Sequence, residues 1–254
     1  MANATFNAGI DYFGLETATS NALKVTESNE NRSKQSTSGA NTYGDAAVVD
    51  SWGETAAPSA SYLVVDEVSS SDFPDLGIVI ADAIDSKPVV LGGISISTQN
   101  GSAPTVSASG QMVQTGAAQL RAYTLPTFSI TSRHRAQDIL GFASIKKGTS
   151  VADDTEDYGL ESCNVEFPIE FTLAQPKGDL KNYDLHGGMA TAAYTLNWYA
   201  SIAPAIELSA AAAAAGATMS DPVAKSCPEG GYTQYTFTIS LPMVGEEYTE
   251  SSGT

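Results

Sequence analysis

The chain has 254 residues, of which 42% are hydrophobic. This is enough apolar material to form a core, so the composition excludes a globally disordered protein. Its formal net charge is −17, from 29 acidic and 12 basic residues. So few cations argue against binding to nucleic acid, and an acidic surface repels anionic membranes. Only 16% of residues are charged, and small polar residues that lose little side-chain entropy on contact are abundant.

Export and membrane signals are missing from the sequence. No apolar run approaches the roughly 20 residues that a bilayer span needs. Residues 1–20 lack the basic start and the continuous apolar stretch of a signal peptide. We therefore expect a protein that is made in a cytoplasm and does not enter a membrane.

The N-terminal region is predicted to be an extended arm. The stretch 27–45 is polar and rich in Gly and Ser, which favours a long loop. Leu23, Val25 and Tyr43 are too few to form a core, so we expect an arm of roughly 20–45 to pack on a neighbouring subunit. The predicted organisation is an arm with the first strands at 1–60, a β-rich core at 61–241 and an acidic tail at 242–254.

Short strands are predicted through the first half of the chain. Segments 46–52 and 61–68 flank a turn at GETAAPS, and further strands follow at 76–82 and 88–98. Three more short strands are predicted between 104 and 131. Within 88–98, the pair Gly92-Gly93 predicts a bulge or a close backbone approach.

The clearest strand begins at Cys163. Apolar residues alternate with polar ones from there to Leu173, and this period of two predicts a half-buried strand. Pro168 lies on the polar side and cannot donate to a ladder, which predicts an edge strand or a bulge. Segments 191–200 and 232–241 alternate in the same way, so we expect all three to share one core, with Phe167, Phe171, Trp198 and Phe237 buried.

Helix signals are few. Segment 132–142 has Ser132 as a candidate N-cap and Gly141 as a stop, whereas 206–216 reads equally as a helix or as an extended segment. These elements predict a mainly β fold, an antiparallel β-sandwich or barrel with one or two short helices and a long polar N-terminal arm.

The sequence offers no constellation of catalytic, cofactor-binding or metal-binding residues. His134 lies between two arginines and His186 precedes a predicted Gly-Gly turn, and neither has a second ligand at zinc-site spacing. The acidic cluster 152–157 lacks the spacing of an EF-hand loop and reads as a solvated loop. Cys163 reads as a reduced core cysteine, although a disulfide with Cys227 stays open. We expect no enzyme activity and no cofactor.

Charge is distributed unevenly along the chain. Residues 121–150 carry five basic residues and only one acidic residue, Asp138, whereas residues 151–170 carry seven acidic residues and no basic one. Two solvated loops or a salt-bridge patch within one chain would explain this, and so would complementary faces that meet between subunits. The candidate inter-subunit contacts are Arg133, Arg135, Lys146, Lys147, Asp153, Asp154, Glu156 and Asp157.

Strand-rich segments such as NTYGDAAVVDSWGETAAPSASYLV and GSAPTVSASGQMVQTGA, with the polar arm, resemble virion structural proteins of bacteriophages. The chain is most similar in style to the major tail (tail-tube) proteins of tailed phages. That resemblance implies a non-enzymatic subunit made in the host cytoplasm, which assembles with its own copies in a ring, tube or shell and with other virion proteins. The stacked β-barrels of that family surround a DNA channel, and an acidic chain would suit such a lumen.

Other functions fit the same sequence. A capsid decoration protein or a head-tail connector would share the virion location. An adhesin or a carbohydrate-binding β-sandwich is a further alternative, although it would be expected to cluster exposed aromatic residues in loops. Here the aromatics fall on alternating strand positions, so self-assembly is the favoured function.

Charge reversal tests the predicted contact between subunits. Arg133→Glu with Arg135→Glu should impair assembly, measured by sedimentation velocity, and Asp153→Arg with Asp154→Arg should partly restore it. Each exposed ion pair contributes only about 0–1 kcal/mol, so the effect should weaken as salt rises. Assembly that ignores the first pair of changes would mean that these charges are solvated loops.

Overall fold

The computed structural model describes residues 9–40, 46–84, 87–99, 101–112, 122–132, 143–146, 160–174, 184–200, 205–208, 210–225, 233–243 and 245–246. Within this part of the chain the strands are β1 (Leu23–Ala40), β2 (Ala46–Val64), β3 (Val68–Ser69), β4 (Val79–Ile84), β5 (Lys87–Gln99), β6 (Thr105–Met112), β7 (Ala122–Tyr123), β8 (Ser129–Ile130), β9 (Ala143–Lys146), β10 (Leu160–Ala174), β11 (Asp184–Ala200), β12 (Ala205–Leu208), β13 (Thr218–Met219), β14 (Val223–Ala224), β15 (Thr233–Pro242) and β16 (Gly245–Glu246). The described helices are α1 (Leu15–Ala18) and α2 (Ala210–Ala214), with a 3-10 turn at Ser70–Asp72.

One large antiparallel sheet organises these elements. Its strands follow the order β1-β2-β6-β5-β10-β11-β15-β13, while β4 pairs with β5 and β14 pairs with β15. Three small two-stranded sheets complete the described part: β12 with β9, β16 with β7 and β3 with β8. The predicted mainly β, antiparallel class with two short helices is confirmed. The described strands leave this sheet open, because no pairing joins β1 to β13.

The predicted alternation places one face of the sheet in the core. Cys163, Val165 and Phe167 are fully buried on β10, while Asn164 and Glu166 between them are exposed. The register continues this buried row from Tyr62 through Val106, Ile96 and Val165 to Ile239. The three strands predicted from alternation therefore lie side by side, as β10, β11 and β15. Phe167 is buried as expected, whereas the side chains of Phe171, Trp198 and Phe237 lie outside the described part.

A bulge occurs where the Gly92-Gly93 pair predicts one. The β5–β6 register shifts between Leu91 and Gly93. On its other side Gly93 pairs with Pro168. Pro168 therefore lies in a central strand and not on an edge, which excludes one of the two predicted settings. Its missing N–H falls beside the bulge, where the ladder is already irregular.

A second layer made of short segments covers the buried face. The Phe128 ring stacks on Phe167 with centroids 5.9 Å apart, and Phe73 packs against Phe128 at 5.7 Å in a tilted geometry. Leu76 exchanges backbone hydrogen bonds with Tyr123, which ties the two covering segments together. This aromatic column stabilises the contact between the sheet and the covering segments through the apolar area that it buries and through the geometry of its ring pairs.

The N-terminal region differs from the predicted arm. Residues 27–40 belong to β1, which pairs with β2 from Leu23↔Val64 to Ala40↔Ala46, so the expected loop is a long hairpin; residues 41–45 lie outside the described part. Leu23 and Val25 are buried in the core, which corrects the expectation that they could not contribute to one. The short helix α1 lies against β1, and its Leu15 belongs to the same buried cluster.

Two further segments differ from the sequence analysis. β2 runs through the predicted GETAAPS turn and continues past residue 60. Pro58 lies just outside the β2–β6 ladder, which ends at Ser59, so this ladder does not need its N–H. His186 lies in β11 opposite Thr172 and not in a turn. The ambiguous 206–216 stretch contains both predicted states, since it begins in β12 and continues into α2. The predicted helix at 132–142 lies outside the described residues beyond Ser132.

Truncating the aromatic column should destabilise the fold. Phe167→Ala removes a fully buried ring and should lower the free energy of unfolding by about 3–5 kcal/mol, measured by urea denaturation. Glu166→Ala, one residue earlier on the exposed face, is the matched control and should change it by no more than about 0.5 kcal/mol. Equal effects of the two substitutions would contradict the one-sided burial of β10.

Candidate functional site

The face of the large sheet opposite the core is lined by small polar side chains. We call the part formed by β2, β6, β5 and β10 the open face. Its middle row runs through Ser61, Ser107, Ser95 and Glu166 at paired positions. The register extends this row to Glu27 on β1 and to Thr218 on β13. The positions of the open face that lie half-buried or exposed are Ser59, Ser61, Leu63, Gly93, Ser95, Ser97, Thr105, Ser107, Ser109, Asn164, Glu166 and Pro168.

A shallow groove of about 280 Å³ crosses the open face. It lies over the bulge, where Gly93 has no side chain, and its rim includes Ser59, Ser109 and Glu166. A Cβ atom at Gly93 would lie 3.1 Å from the Ser109 Oγ atom, so a side chain at this position would fill part of the groove.

The polar side chains of the open face hydrogen-bond with each other across strands. The Ser97 hydroxyl donates to Asn164 Oδ1 at 2.7 Å, and the Ser61 and Ser107 hydroxyls are 3.3 Å apart. Glu166 is an exposed carboxylate at the rim of the groove. Short hydroxyls of this kind suit hydrogen bonding to another surface, since they can donate and accept with few rotamers to fix.

A two-stranded ribbon continues beyond the sheet. β2 pairs with β6 only from Ser59 to Leu63, and Gln111 Nε2 donates to the Ala56 carbonyl oxygen at 3.1 Å just past that ladder. We call Ser33–Ala40 and Ala46–Thr55 the ribbon. Its two strands pair with each other, and no other described strand pairs with them. At the rise of an antiparallel strand, the β1 half spans about 27 Å.

Two titratable groups in the core have strongly perturbed pKa values. Burial raises the pKa of the Tyr62 phenol far above its ordinary value, and its hydrogen bond to Asp11, 2.7 Å away, raises it further. Burial alone raises the pKa of the Cys163 thiol, which is free, fully buried and therefore a protonated core cysteine as expected. Both groups are structural, since neither is exposed to a ligand.

The charged residues predicted to meet between subunits fall almost wholly outside the described part. Lys146 is the last residue of β9, where its backbone pairs with Ala205. Arg133, Arg135, Lys147, Asp153, Asp154, Glu156 and Asp157 are not described, so their contact stays a prediction. Among the described residues, no group of three or more His, Cys, Asp or Glu side chains is placed to hold a metal ion.

The open face could be predicted from the sequence, whereas the ribbon could not. In β6, Thr105, Ser107 and Ser109 alternate with Val106 and Ala108, and that pattern already assigns the hydroxyls to one face. The ribbon was missed because its β1 half carries the Gly and Ser content of a loop. Only pairing with β2 makes it a strand.

Comparison with known proteins gives no family for this chain. No protein-family model matches the sequence, and no curated protein is significantly similar to it. In the described part of the chain, neither helix is long and apolar enough to cross a bilayer.

The buried phenol predicts a loss of stability at alkaline pH. Because the folded-state pKa of Tyr62 is raised, its stabilisation is complete below about pH 10 and declines as pH rises above the value of the unfolded chain. Tyr62→Phe should lower the free energy of unfolding at pH 7 by about 1 kcal/mol through the lost hydrogen bond to Asp11.

Above pH 10 the unfolding free energy of the native chain should fall more steeply than that of Tyr62→Phe, by up to about 1.4 kcal/mol per pH unit. Urea denaturation at pH 7, 10 and 11 measures both slopes. Parallel slopes would show that the phenol titrates alike in the folded and unfolded chains.

Proposed function

We propose that this chain is a non-enzymatic structural subunit that assembles with copies of itself, most specifically as the tail-tube protein of a bacteriophage. The observation that carries the proposal is the ribbon, a long hairpin that leaves its own sheet. The open face and the acidic composition support it.

The ribbon needs a partner to be stable. A two-stranded hairpin is at best marginally stable in water unless further strands or another layer cover it. The ribbon sequence includes Val48, Val49 and Trp52, which are apolar residues that gain from burial. Its outer β1 edge also presents backbone groups to which no described strand is paired, and such an edge is a template for another chain. A second copy of the chain supplies both a covering surface and the missing pairing.

The open face offers a second contact surface. It is built from side chains that lose little entropy when another surface covers them, and this favours association. At the end of the sheet opposite β1, Met219 and Val223 are 40% and 63% exposed on the short strands β13 and β14. Burial of these two side chains in an assembly would add apolar area to the contact.

The tail tube, as the specific assembly, rests on the resemblance and on charge. A subunit that lines a DNA channel must not bind the passing phosphates, and a chain with a formal net charge of −17 meets this requirement. In this proposal the protein resides in the virion, with copies of itself and other virion proteins as its partners.

Removing the ribbon tests the proposal. Ser33 and Thr55 are register partners, so an Asn-Gly turn joining them closes a shorter hairpin without disturbing the β2–β6 ladder. The shortened chain should keep its circular dichroism spectrum and thermal midpoint but sediment as a monomer at concentrations where the full chain forms large species. The ribbon supplies the contact surface, and the core does not depend on it.

A matched control separates the ribbon from the rest of the surface. Ser102→Ala changes one exposed hydroxyl in the turn between β5 and β6, at the end of the β2–β6 ladder away from the ribbon, and should leave sedimentation unchanged. If the shortened chain forms the same species as the full chain, the ribbon does not carry assembly. If the full chain is monomeric at every concentration, self-assembly itself is contradicted.

A further inference from the structure

The N-terminal segment, residues 9–22, is docked on the core as a separate piece with a fitted site. Phe13 and Leu15 are 4% and 0% exposed, although α1 has only one turn. The Asp11 carboxylate accepts hydrogen bonds from the Leu15 and Glu16 amides and from the Tyr62 hydroxyl. A Cβ atom at Gly110 would lie 2.8 Å from Phe13 Cε1, so the absence of a side chain there makes room for the ring.

The same segment covers part of the outer edge of β1. The Val25 amide donates to Glu16 Oε1 at 2.7 Å, and the Ile10 amide donates to Ser28 Oγ at 2.7 Å. Tyr12 donates to Glu30 Oε2 at 3.3 Å. These contacts occupy an edge that would otherwise be available for pairing with another chain.

The connection between this segment and β1 is strained. Ser20 and Asn21 have φ angles of 52° and 68°, in the left-handed region, which asparagine tolerates but which serine and most other L residues rarely adopt. The Asn21 amide donates to the Glu16 carbonyl oxygen at 2.6 Å, which holds the turn closed. Straightening these two residues into an extended conformation would relieve the strain and carry the segment away from its own β1.

We propose that residues 9–22 exchange between copies of the chain, so that the segment of one copy docks on the β1 edge and the Gly110 site of another. The docking contacts are identical within a chain and between chains, and only the hinge at Ser20–Asn21 differs. A strained hinge joined to a fitted docking piece is the arrangement that favours exchange. The exchange rests on the proposed function for the supply of a second copy, and it would link neighbouring subunits through the non-covalent docking contacts of the segment.

Disulfide trapping between two different variants tests the exchange. Ile10→Cys and Ser28→Cys are made separately in a Cys227→Ser background, and the two proteins are unfolded, mixed, refolded and oxidised. Because the Ile10 amide donates to Ser28 Oγ, the two residues are neighbours when the segment is docked, and a cross-link between an Ile10→Cys chain and a Ser28→Cys chain requires the segment of one to dock on the other. We expect a cross-linked heterodimer on non-reducing electrophoresis.

A chain that carries both cysteines is the geometric control, since it reports whether the two positions can form a disulfide whichever chain supplies the segment. If it cross-links while the mixture of single variants does not, exchange is contradicted. Should the mixture assemble without a heterodimer, exchange is wrong and the proposed assembly stands. A chain that sediments only as a monomer would overturn both.

The hinge itself gives the second measurement. Asn21→Gly adopts the positive φ readily and should lower the heterodimer yield by about fivefold. Asn21→Pro cannot adopt that φ and should raise the yield. Equal yields from these two variants would mean that the hinge does not control docking, and the proposed exchange would be wrong.

Discussion

The structure depends on the contact between the buried face of the large sheet and the thin layer of short segments above it. Phe128 stacked on Phe167 is the centre of that contact, and it fixes which face of β10 is inside. Since side chains alternate along a strand, this choice fixes the faces of the neighbouring strands through the register. The open face of small hydroxyls is then the direct consequence of burying the other one.

The same constraint explains why the polar face is exposed. A covering layer exists on one side only in the described part of the chain, so the hydroxyls of Ser95, Ser107 and Ser109 face outward. The bulge at Gly92-Gly93 deepens that face into a groove without opening the core. Packing, register and surface chemistry are therefore consequences of one alternating pattern.

Strands with strict alternation were predictable from sequence, because burial on one face leaves a period that neighbouring residues reveal. β10, β15 and the bulge in β5 belong to this group. Contacts between distant residues were not predictable. The Asp11–Tyr62 hydrogen bond joins positions far apart in sequence, and Leu23 and Val25 are buried in a strand that forms by pairing with β2. The central position of Pro168 was likewise not predictable, because it follows from the pairing of β10 with β5, in which Gly93 lies opposite Pro168.

In the proposed function, a one-sided sheet with a ribbon beyond its edge works by association with its own copies. Negative-stain electron microscopy of the purified full-length chain tests this most directly. We expect rings, or tubes built by stacking them, whose abundance rises with protein concentration. Fields of uniform small particles at every concentration, with the protein folded by circular dichroism, would contradict it.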